Sequence, residues 1–487
     1  MTDLPKSWAQ VPITEILQLN NNGRPFQQGW SPQCHQHPAD EGRWGVLKTT
    51  AIQAGEFWPH ENKELPDHLE GRPQIEVKRG DILMTCAGPR SRCGVACLVT
   101  ETRAKLMMSG KMYRFRPHTD AMDAKFLMHF IRSHATQMQI DRMKTGISDS
   151  GLNLTHDRFA MLQVPVPPRN EQHRIAARID ELFSGLDNGV EALTNARQQL
   201  TVYRRAILRR AFHGGFTSDT RSERRGIQVA HALSAEEVAS ERLSALPIGW
   251  KYVRLQHLVD PNRPITYGVI KLGADVAAGV PTLRSSDVRR LRLDLESVKR
   301  ISPQIAANYR RTFLKGGEVL VTVRGTLGGV AVVPPALAGW NISREVAMVV
   351  PAEELDPTYL QYMLASPQLE AWFKGQLRGV AYTGINLASL RDAPIALCHI
   401  QEQREIARVV AEQLSLVDAT ERDIDGQLAR IELLRNAILS RAFSGQLVAQ
   451  DPKDEPASVL LERIRVQRNE AMPGNRRTNK NGKKEAA

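Results

Sequence analysis

The sequence predicts a mixed α/β protein written twice: two similar globular α/β units separated by two long helices that pair as an antiparallel coiled coil, with a pseudo-two-fold internal repeat. Three observations predict it. Residues 171–216 recur 231 positions later without a gap, with 15 identities over 46 positions. Upstream the likeness continues more weakly: Leu4-Pro5-Lys6-Ser7-Trp8 returns as Leu246-Pro247-Ile248-Gly249-Trp250, and Lys78-Arg79-Gly80-Asp81 as Lys315-Gly316-Gly317-Glu318. Finally, apolar residues cluster in short β-branched runs inside the units and follow a near-heptad spacing between them. A chain with such a repeat has to be explained as a two-fold object.

In chain order, glycine-bounded apolar runs predict strands at Gly80 to Met84 and, in the second copy, at Glu318 to Val323. Apolar residues three and four apart predict helices over Ala124 to Ile140 and Pro357 to Phe373. Pro167-Pro168 stops the first unit, and Ile175, Ile179, Leu182, Leu186, Val190, Leu193, Leu200, Tyr203 and Ile207 mark a long helix that Gly214-Gly215 ends. Roughly 44 residues at 1.5 Å each make a rod of about 65 Å. A charged linker from Thr217 to Ser244 follows, with Arg221, Arg224 and Arg225 and a short helix near Ala235 to Leu243. Ile406, Val410, Leu414, Val417, Ile424, Leu428, Ile431 and Ile438 repeat the long helix. The two copies occupy equivalent places, so pairing them by a pseudo-two-fold axis runs them antiparallel, with the globular units expected at opposite ends. A last helix is expected at Ala457 to Glu470, followed by Pro473-Gly474 and a basic tail expected to be disordered.

The 487 residues carry 65 Lys plus Arg against 53 Asp plus Glu, a net charge of +12, with 42% apolar and 24% charged residues. That composition suits a soluble globular protein, and the basic excess brings a polyanionic partner into consideration. No apolar run approaches the ~20 residues that span a bilayer, and the amino terminus lacks a basic stretch followed by an apolar core, so a cytoplasmic location is expected. Cys34, Cys86, Cys93, Cys97 and Cys398 are few and odd in number, as reduced thiols would be.

Candidate catalytic sets are thin. Asp67 with Glu76 and Lys78 imitates the acid–acid–lysine pattern of metal-dependent nucleases, but the second copy has Phe313-Leu314-Lys315 where the first has Glu76-Val77-Lys78. Cys34-His35-Gln36-His37 with Cys86, Cys93 and Cys97 offers zinc ligand types without a paired Cys-x-x-Cys element, and no metal site is expected. Gly110-Lys111 is followed by Met112 and completes no phosphate-binding loop, while the Pro-Pro pairs at 167 and 334 lack the aromatic of an adenine methyltransferase loop. Gly325, Gly328 and Gly329 read as a turn. A basic chain with two diverging units on a stiff spacer is how a reader of two DNA half-sites would be built, although the same layout suits protein or RNA.

Taken together, the Leu-Pro-x-x-Trp openings at Leu4 and Leu246, Pro167-Pro168-Arg169-Asn170-Glu171-Gln172 before a long helix, and Ala-Ile-Leu-x-x-Ala-Phe at 206 and 437 resemble the specificity subunit of Type I restriction-modification systems. Gly146 with Gly151-Leu152-Asn153-Leu154, and Gly379 with Gly384-Ile385-Asn386-Leu387, add to the likeness, which covers nearly the whole chain. One departure is Cys398-His399 where the first copy has Pro167-Pro168, which leaves the start of the second helix less sharply fixed. The resemblance implies a non-catalytic subunit. Its target-recognition domains would be residues 1–168 and 245–399, its spacer helices 169–214 and 400–446, with a linker at 215–244 and a helix and tail at 447–487. Each domain would read half of a bipartite, asymmetric site on double-stranded DNA. The helices would dock two methyltransferase subunits, with restriction subunits joining for cleavage. S-adenosylmethionine, ATP and Mg²⁺ would belong to those partners, and none to this chain. Polar runs beside strands are the candidate DNA contacts: Lys48, Thr49 and Thr50 with Arg284, Ser285 and Ser286, and then Ser91, Arg92, Arg324 and Arg344. Asn153 and Asn386 are candidate helix caps. A single-chain nuclease and a two-headed DNA-binding regulator are the alternatives.

Overall fold

The computed structural model describes residues 4–217, 227–325, 328–376 and 384–471. Its helices in chain order are α1 (Ala124–Arg132), α2 (His134–Met143), α3 (His156–Ala160), α4 (Arg169–Ala211), α5 (Ala235–Ser240), α6 (Pro303–Ala307), α7 (Pro357–Leu364), α8 (Pro367–Gln376), α9 (Leu387–Arg391), α10 (Ile400–Phe443) and α11 (Ala457–Ala471). The chain divides into unit 1, Met1–Glu191 with Gln427–Ala487, and unit 2, Ala192–Gly426. Each long helix is therefore shared between the two units.

The repeat is visible strand by strand. In unit 1, Gln27–Gln28, Met112–Phe115, Ile82–Thr85 and Ala96–Leu98 form an antiparallel sheet in that order. Gly45–Leu47 lies between Asn62–Glu64, antiparallel, and Leu106–Met107, parallel. Ala9–Pro12 pairs with Gln163–Val166. Unit 2 repeats all three arrangements: Thr266–Tyr267, Val346–Val349, Val319–Thr322 and Val330–Val332; then Lys299–Ile301, Val280–Leu283 and Asn341–Ile342, again with the last pair parallel; then Lys251–Arg254 with Pro394–Leu397. Ile82–Thr85 and Val319–Thr322 are buried at every position, as their uninterrupted apolar character requires of a central strand. The repeated Lys-x-Gly-acid turn feeds them. Asp81 and Glu318, both fully buried, accept the backbone N–H of Lys78 (2.9 Å) and Lys315 (2.7 Å), and they pair with Arg114 and Arg116 and with Arg263. A buried carboxylate held this way is satisfied rather than stranded.

The sequence predicts one helix over Ala124 to Ile140 and one over Pro357 to Phe373; the structure breaks both at the same place. Ser133 stops α1 and caps α2 by accepting the Thr136 N–H, and Ser366 precedes Pro367 at the first position of α8, its hydroxyl accepting the Leu369 N–H. Asn386 caps α9 through the Ser389 N–H (2.6 Å), whereas Asn153 stands in a short strand and α3 begins after Thr155.

The long helices pack against each other, and within each unit they run in opposite directions. In unit 1, Arg435 reaches Asp187 of α4; in unit 2, Arg204 reaches Asp418 (2.5 Å) and Glu421 (3.0 Å) of α10. Asp187 and Asp418 are the same position of the repeat, as are Arg204 and Arg435, so one contact is formed twice with the roles of the copies exchanged. The predicted seam positions Ile175, Ile179, Ile207, Ile406, Val410 and Val417 are buried, while Tyr203 is half exposed and donates its hydroxyl to Gln413 (3.2 Å).

The duplicated Glu-Gln pair fastens each unit to the start of its following helix. Gln172, fully buried, accepts the Asp123 N–H (2.7 Å) and donates to the carbonyls of Ala121 and Pro167 (2.9 Å each). Gln403 does the same with Asp356 N–H (2.9 Å) and the carbonyls of Glu354 (2.9 Å) and Cys398 (2.8 Å). Cys398-His399 thus replaces Pro167-Pro168 without loss of the fastening. Trp8 of the repeated opening donates its indole N–H to Glu171 (3.1 Å). Helix ends dock as well: Phe443 sets its ring edge-on against Phe126 and Phe130 in unit 1, and Phe212 against Tyr359 in unit 2. The segment after α10 closes unit 1. Leu460, Leu461 and Ile464 of α11 enter its core, and Arg465 pairs with Glu15 (2.7 Å).

Candidate nucleic-acid interface

Strand directions decide which loops meet. Gly45–Leu47 and Leu106–Met107 run parallel, so the turns that follow both leave the same end; Ile82–Thr85 ends where Met112–Phe115 begins. Residues 48–53, 86–92 and 108–111 are thereby gathered at one end of unit 1. Lys48 and Thr49 line a polar groove of about 500 Å³ together with Ser31, Gln33, Gln36, Lys63, Ser109 and Lys111. Three lysines line it, and its described lining includes no carboxylate. Lys63 donates to Gln36 (2.9 Å), and the Gly110 N–H to the Ser31 hydroxyl (2.9 Å). Lys48 lies 3.4 Å from Glu61, which also accepts the Thr50 hydroxyl (2.5 Å); the Thr50 hydrogen bond, with Lys48, holds that carboxyl below its usual range.

Arg92 joins the cluster from below. Its guanidinium donates to the carbonyls of Thr49 and Ile52 and to the Gln53 side chain (3.3 Å), so it shapes the turn that carries Thr49 and Thr50. Ser91 is exposed beside it.

Unit 2 places its counterparts in the equivalent turns, with different chemistry. Arg284 is bound through Nε and Nη2 to Asp287 (3.1 Å each), the effect of the Asp287 hydrogen bond being to raise the guanidinium pKa further. Ser285 is buried and donates its hydroxyl to Glu345 (2.8 Å), and Ser286 donates to Asp287 (2.7 Å). The backbone N–H of Val323 donates to Glu345, as that of Cys86 does to Lys111, so a carboxylate stands in unit 2 where unit 1 has a lysine. Arg324 and Arg344 are exposed on the two loops that flank Ser285. Gly325 sits at φ +76°, where a Cβ would come within 2.8 Å of the Ser285 hydroxyl, so a side chain would disturb this cluster. The structure therefore gathers Lys48, Thr49, Thr50, Ser91 and Arg92 in one unit and Arg284, Ser285, Ser286, Arg324 and Arg344 in the other. Lys63, Lys111, Ser31 and Gln36 are groove residues that sequence reasoning missed. Of these only Lys111 carries a sequence signal, the Gly110-Lys111 pair, and that pair points to nucleotide binding.

The nuclease alternative finds no support. Asp67 pairs with Arg43, and Glu76 accepts the Lys105 N–H (2.6 Å). Among the described residues no group of three or more His, Cys, Asp and Glu could hold a metal ion. Cys86, Cys93 and Cys97 are buried, with burial pushing the Cys93 thiol up to about 11 and the Cys97 thiol up to about 12, while His35 and His37 stack ring on ring at 5.2 Å. No described helix is long and apolar enough to cross a membrane.

Comparison with known proteins agrees with the fold. Residues 5–195 match the family described as Type I restriction modification DNA specificity domain. The Type I restriction enzyme EcoBI specificity subunit of Escherichia coli is 26% identical over 372 residues, 74% of this chain and 75% of that one. The Type I restriction enzyme EcoEI specificity subunit of Escherichia coli is 37% identical over 197 residues, 40% of this chain and 32% of that one. Among solved structures, a chain from work on complex assembly and conformational transition of the type I R-M system superposes with a TM-score of 0.66 at 20% identity, covering 91% of this chain and all of that one. The HsdS subunit from Thermoanaerobacter tengcongensis gives 0.51 at 20% identity, covering 91% and 98%. At such identity the structures speak for the fold, while in sequence the chain is similar to the specificity subunits of Type I restriction-modification systems, by the family match over residues 5–195 and by the EcoBI subunit over 74% of this chain.

Proposed function

We propose that this chain is the DNA-reading, non-catalytic subunit of such a system, and that each unit reads one half of a bipartite, asymmetric site through its gathered loops. One observation carries the reading: the same sheet topology is built twice, and the same loop positions carry unlike polar groups. Lys48, Lys63 and Lys111 in unit 1 suit phosphate contact, and Gln33, Gln36 and Thr49 beside them in the groove, with Thr50 next in the turn, would read base edges. In unit 2, Arg284, Arg324 and Arg344 supply the cations, while Asp287 and Glu345 orient the serines. Two unlike readers give an asymmetric target.

The long helices would dock two methyltransferase subunits. Their support is a pair of exposed apolar patches at equivalent repeat positions: Val202 and Tyr203 are 68% and 50% exposed, and Leu433 and Leu434 are 69% and 45% exposed. S-adenosylmethionine would then act on the methyltransferase subunits, and ATP with Mg²⁺ on restriction subunits, in the cytoplasm. Replacing residues 245–395 with the corresponding unit of a relative, followed by methylome sequencing, tests the reading. One half of the methylated sequence is expected to change and the other to persist; a change in both halves would defeat independent reading.

A further inference from the structure

Ile147 is the most exposed large apolar side chain described, at 108% of its reference area, and its loop is built to keep it there. Thr145 and Asn153 close the base of the loop with two backbone hydrogen bonds (2.8 and 2.7 Å). Gly146 is required by close approach, since a Cβ would come within 2.6 Å of the Gly151 carbonyl oxygen. Arg90 braces the far side, its backbone N–H donating to the Asp149 carbonyl (2.8 Å) and its Nε to the Asp149 carboxylate (3.1 Å). Such a loop presents its tip in a defined place. That place adjoins the candidate interface: Ala87–Gly88 pairs with Leu152–Asn153, and the Leu154 N–H donates to the Cys86 carbonyl, both on the segment that leaves Thr85 toward Arg92. The second copy carries Val380 at the corresponding position, between Gly379 and Gly384; it lies outside the described residues.

We propose that Ile147 is an apolar wedge that unit 1 presses into the base stack of its half-site. Aliphatic side chains inserted at a base step unstack it and bend the duplex, the cost being offset by the apolar surface buried and the added contact area. The exposed hydroxyls of Ser148 and Ser150, 2.9 Å apart, are the polar rim such a wedge needs against sugar and phosphate, while Lys144 is held by Asp141 (2.8 Å) and the Arg90 carbonyl (3.1 Å). Unstacking a step also favours extrusion of a neighbouring base, which chemistry on a base inside a duplex demands. The wedge rests on the DNA-reading role proposed above.

The test uses the chain assembled with its methyltransferase subunits and a duplex of the methylated sequence, with 2-aminopurine placed in turn at each step of the unit 1 half-site. Wild type is expected to brighten one step. Ile147→Ser should abolish that signal and weaken specific binding by roughly tenfold, while its salt dependence and its melting temperature stay as in wild type; Ile147→Leu should restore both signal and affinity. Selective binding by wild type that Ile147→Ser reproduces, with the same fluorescence, overturns the wedge alone. Loss of copurification with the methyltransferase subunits in Ile147→Ser also overturns it, by making Ile147 a protein contact. A wild-type complex that prefers no sequence overturns the reading role and the wedge together.

Discussion

If the groove of unit 1 holds a phosphate backbone, its lysines should be countable in solution. Each phosphate neutralised releases counterions, and the slope of log Kobs against log salt concentration steepens by about 0.9. Lys63 donates to the neutral Gln36 side chain, and Lys111 is exposed. Lys63→Ala and Lys111→Ala should therefore each make the slope shallower by about 0.9, and the double variant by about 1.8. Across a tenfold rise in salt, each single variant's deficit in affinity should then shrink by about eightfold. Lys48 differs, because its ammonium already faces Glu61 at 3.4 Å. Removing it leaves a carboxylate facing phosphate, a repulsion of about 0.5–2 kcal/mol at ~8 Å for an effective dielectric between water and a protein surface. Lys48→Ala should lose more affinity at low salt than its slope change accounts for, and adding Glu61→Gln should return the excess. The assay is fluorescence anisotropy of the assembled complex on its cognate duplex at several salt concentrations. An unchanged slope in the Lys63 and Lys111 double variant would refute the groove as a phosphate site.

Three further predictions concern the framework and the groove wall. Gln172→Leu strands one donor and two acceptors, at about 1–3 kcal/mol for each buried group left unpaired, so urea denaturation should show a loss of about 3–6 kcal/mol, with Gln403→Leu alike; a loss below about 1 kcal/mol would show that the fastening is not structural. Cys34 lines the groove and is partly exposed, whereas burial raises the Cys93 and Cys97 thiols to about 11 and about 12. Maleimide at pH 8 should label Cys34 first and cognate DNA should slow it; labelling indifferent to DNA would place the duplex elsewhere. Burial holds the His129 imidazole below its ordinary value, against the opposing pull of Asp180 at 2.8 Å, and burial lowers His156 too. A folded-state pKa below the unfolded one means that the unfolded chain takes the proton first. The corresponding stability is present above about 6.5 and lost as pH falls through that value toward the folded pKa. The melting temperature should drop between pH 7.5 and 5, less steeply in His129→Gln with His156→Gln; identical slopes would remove both histidines as the cause.

The parts legible in the sequence are those set by short-range physics. Apolar spacing marked α4 and α10, Gly214 ended the first at φ +69°, and strand-bounding polar runs marked 48–50 and 284–286. The break at Ser133 escaped because the apolar rhythm of Phe126, Phe130 and Ile140 continues through it; all three residues face one core, and only the capping hydroxyl betrays the stop. Groove residues escaped for another reason. Ser31, Lys63 and Lys111 come from three distant segments that only the parallel pairing of Gly45–Leu47 with Leu106–Met107 brings together. Nor did Arg284 disclose that Asp287, three residues on, would hold it.

Among the residues identical between the copies are some whose work depends on the other copy or on a fixed backbone. Asp187 in one copy is answered by Arg435 in the other, and Asp418 by Arg204, so a change at any of the four loses its partner on the opposite helix. Gln172 and Gln403 bind main-chain atoms whose positions any substitution leaves in place, and only a side chain with one acceptor and two donors at that reach satisfies them. The loop clusters carry no such obligation. The Lys111 carbonyl accepts one backbone hydrogen bond and the Glu345 carbonyl two, a role that every residue type can fill, and their side chains differ. On the proposed reading role, such a frame, carrying loops tied through main-chain atoms, would let one unit change what it reads while the other stays as it was.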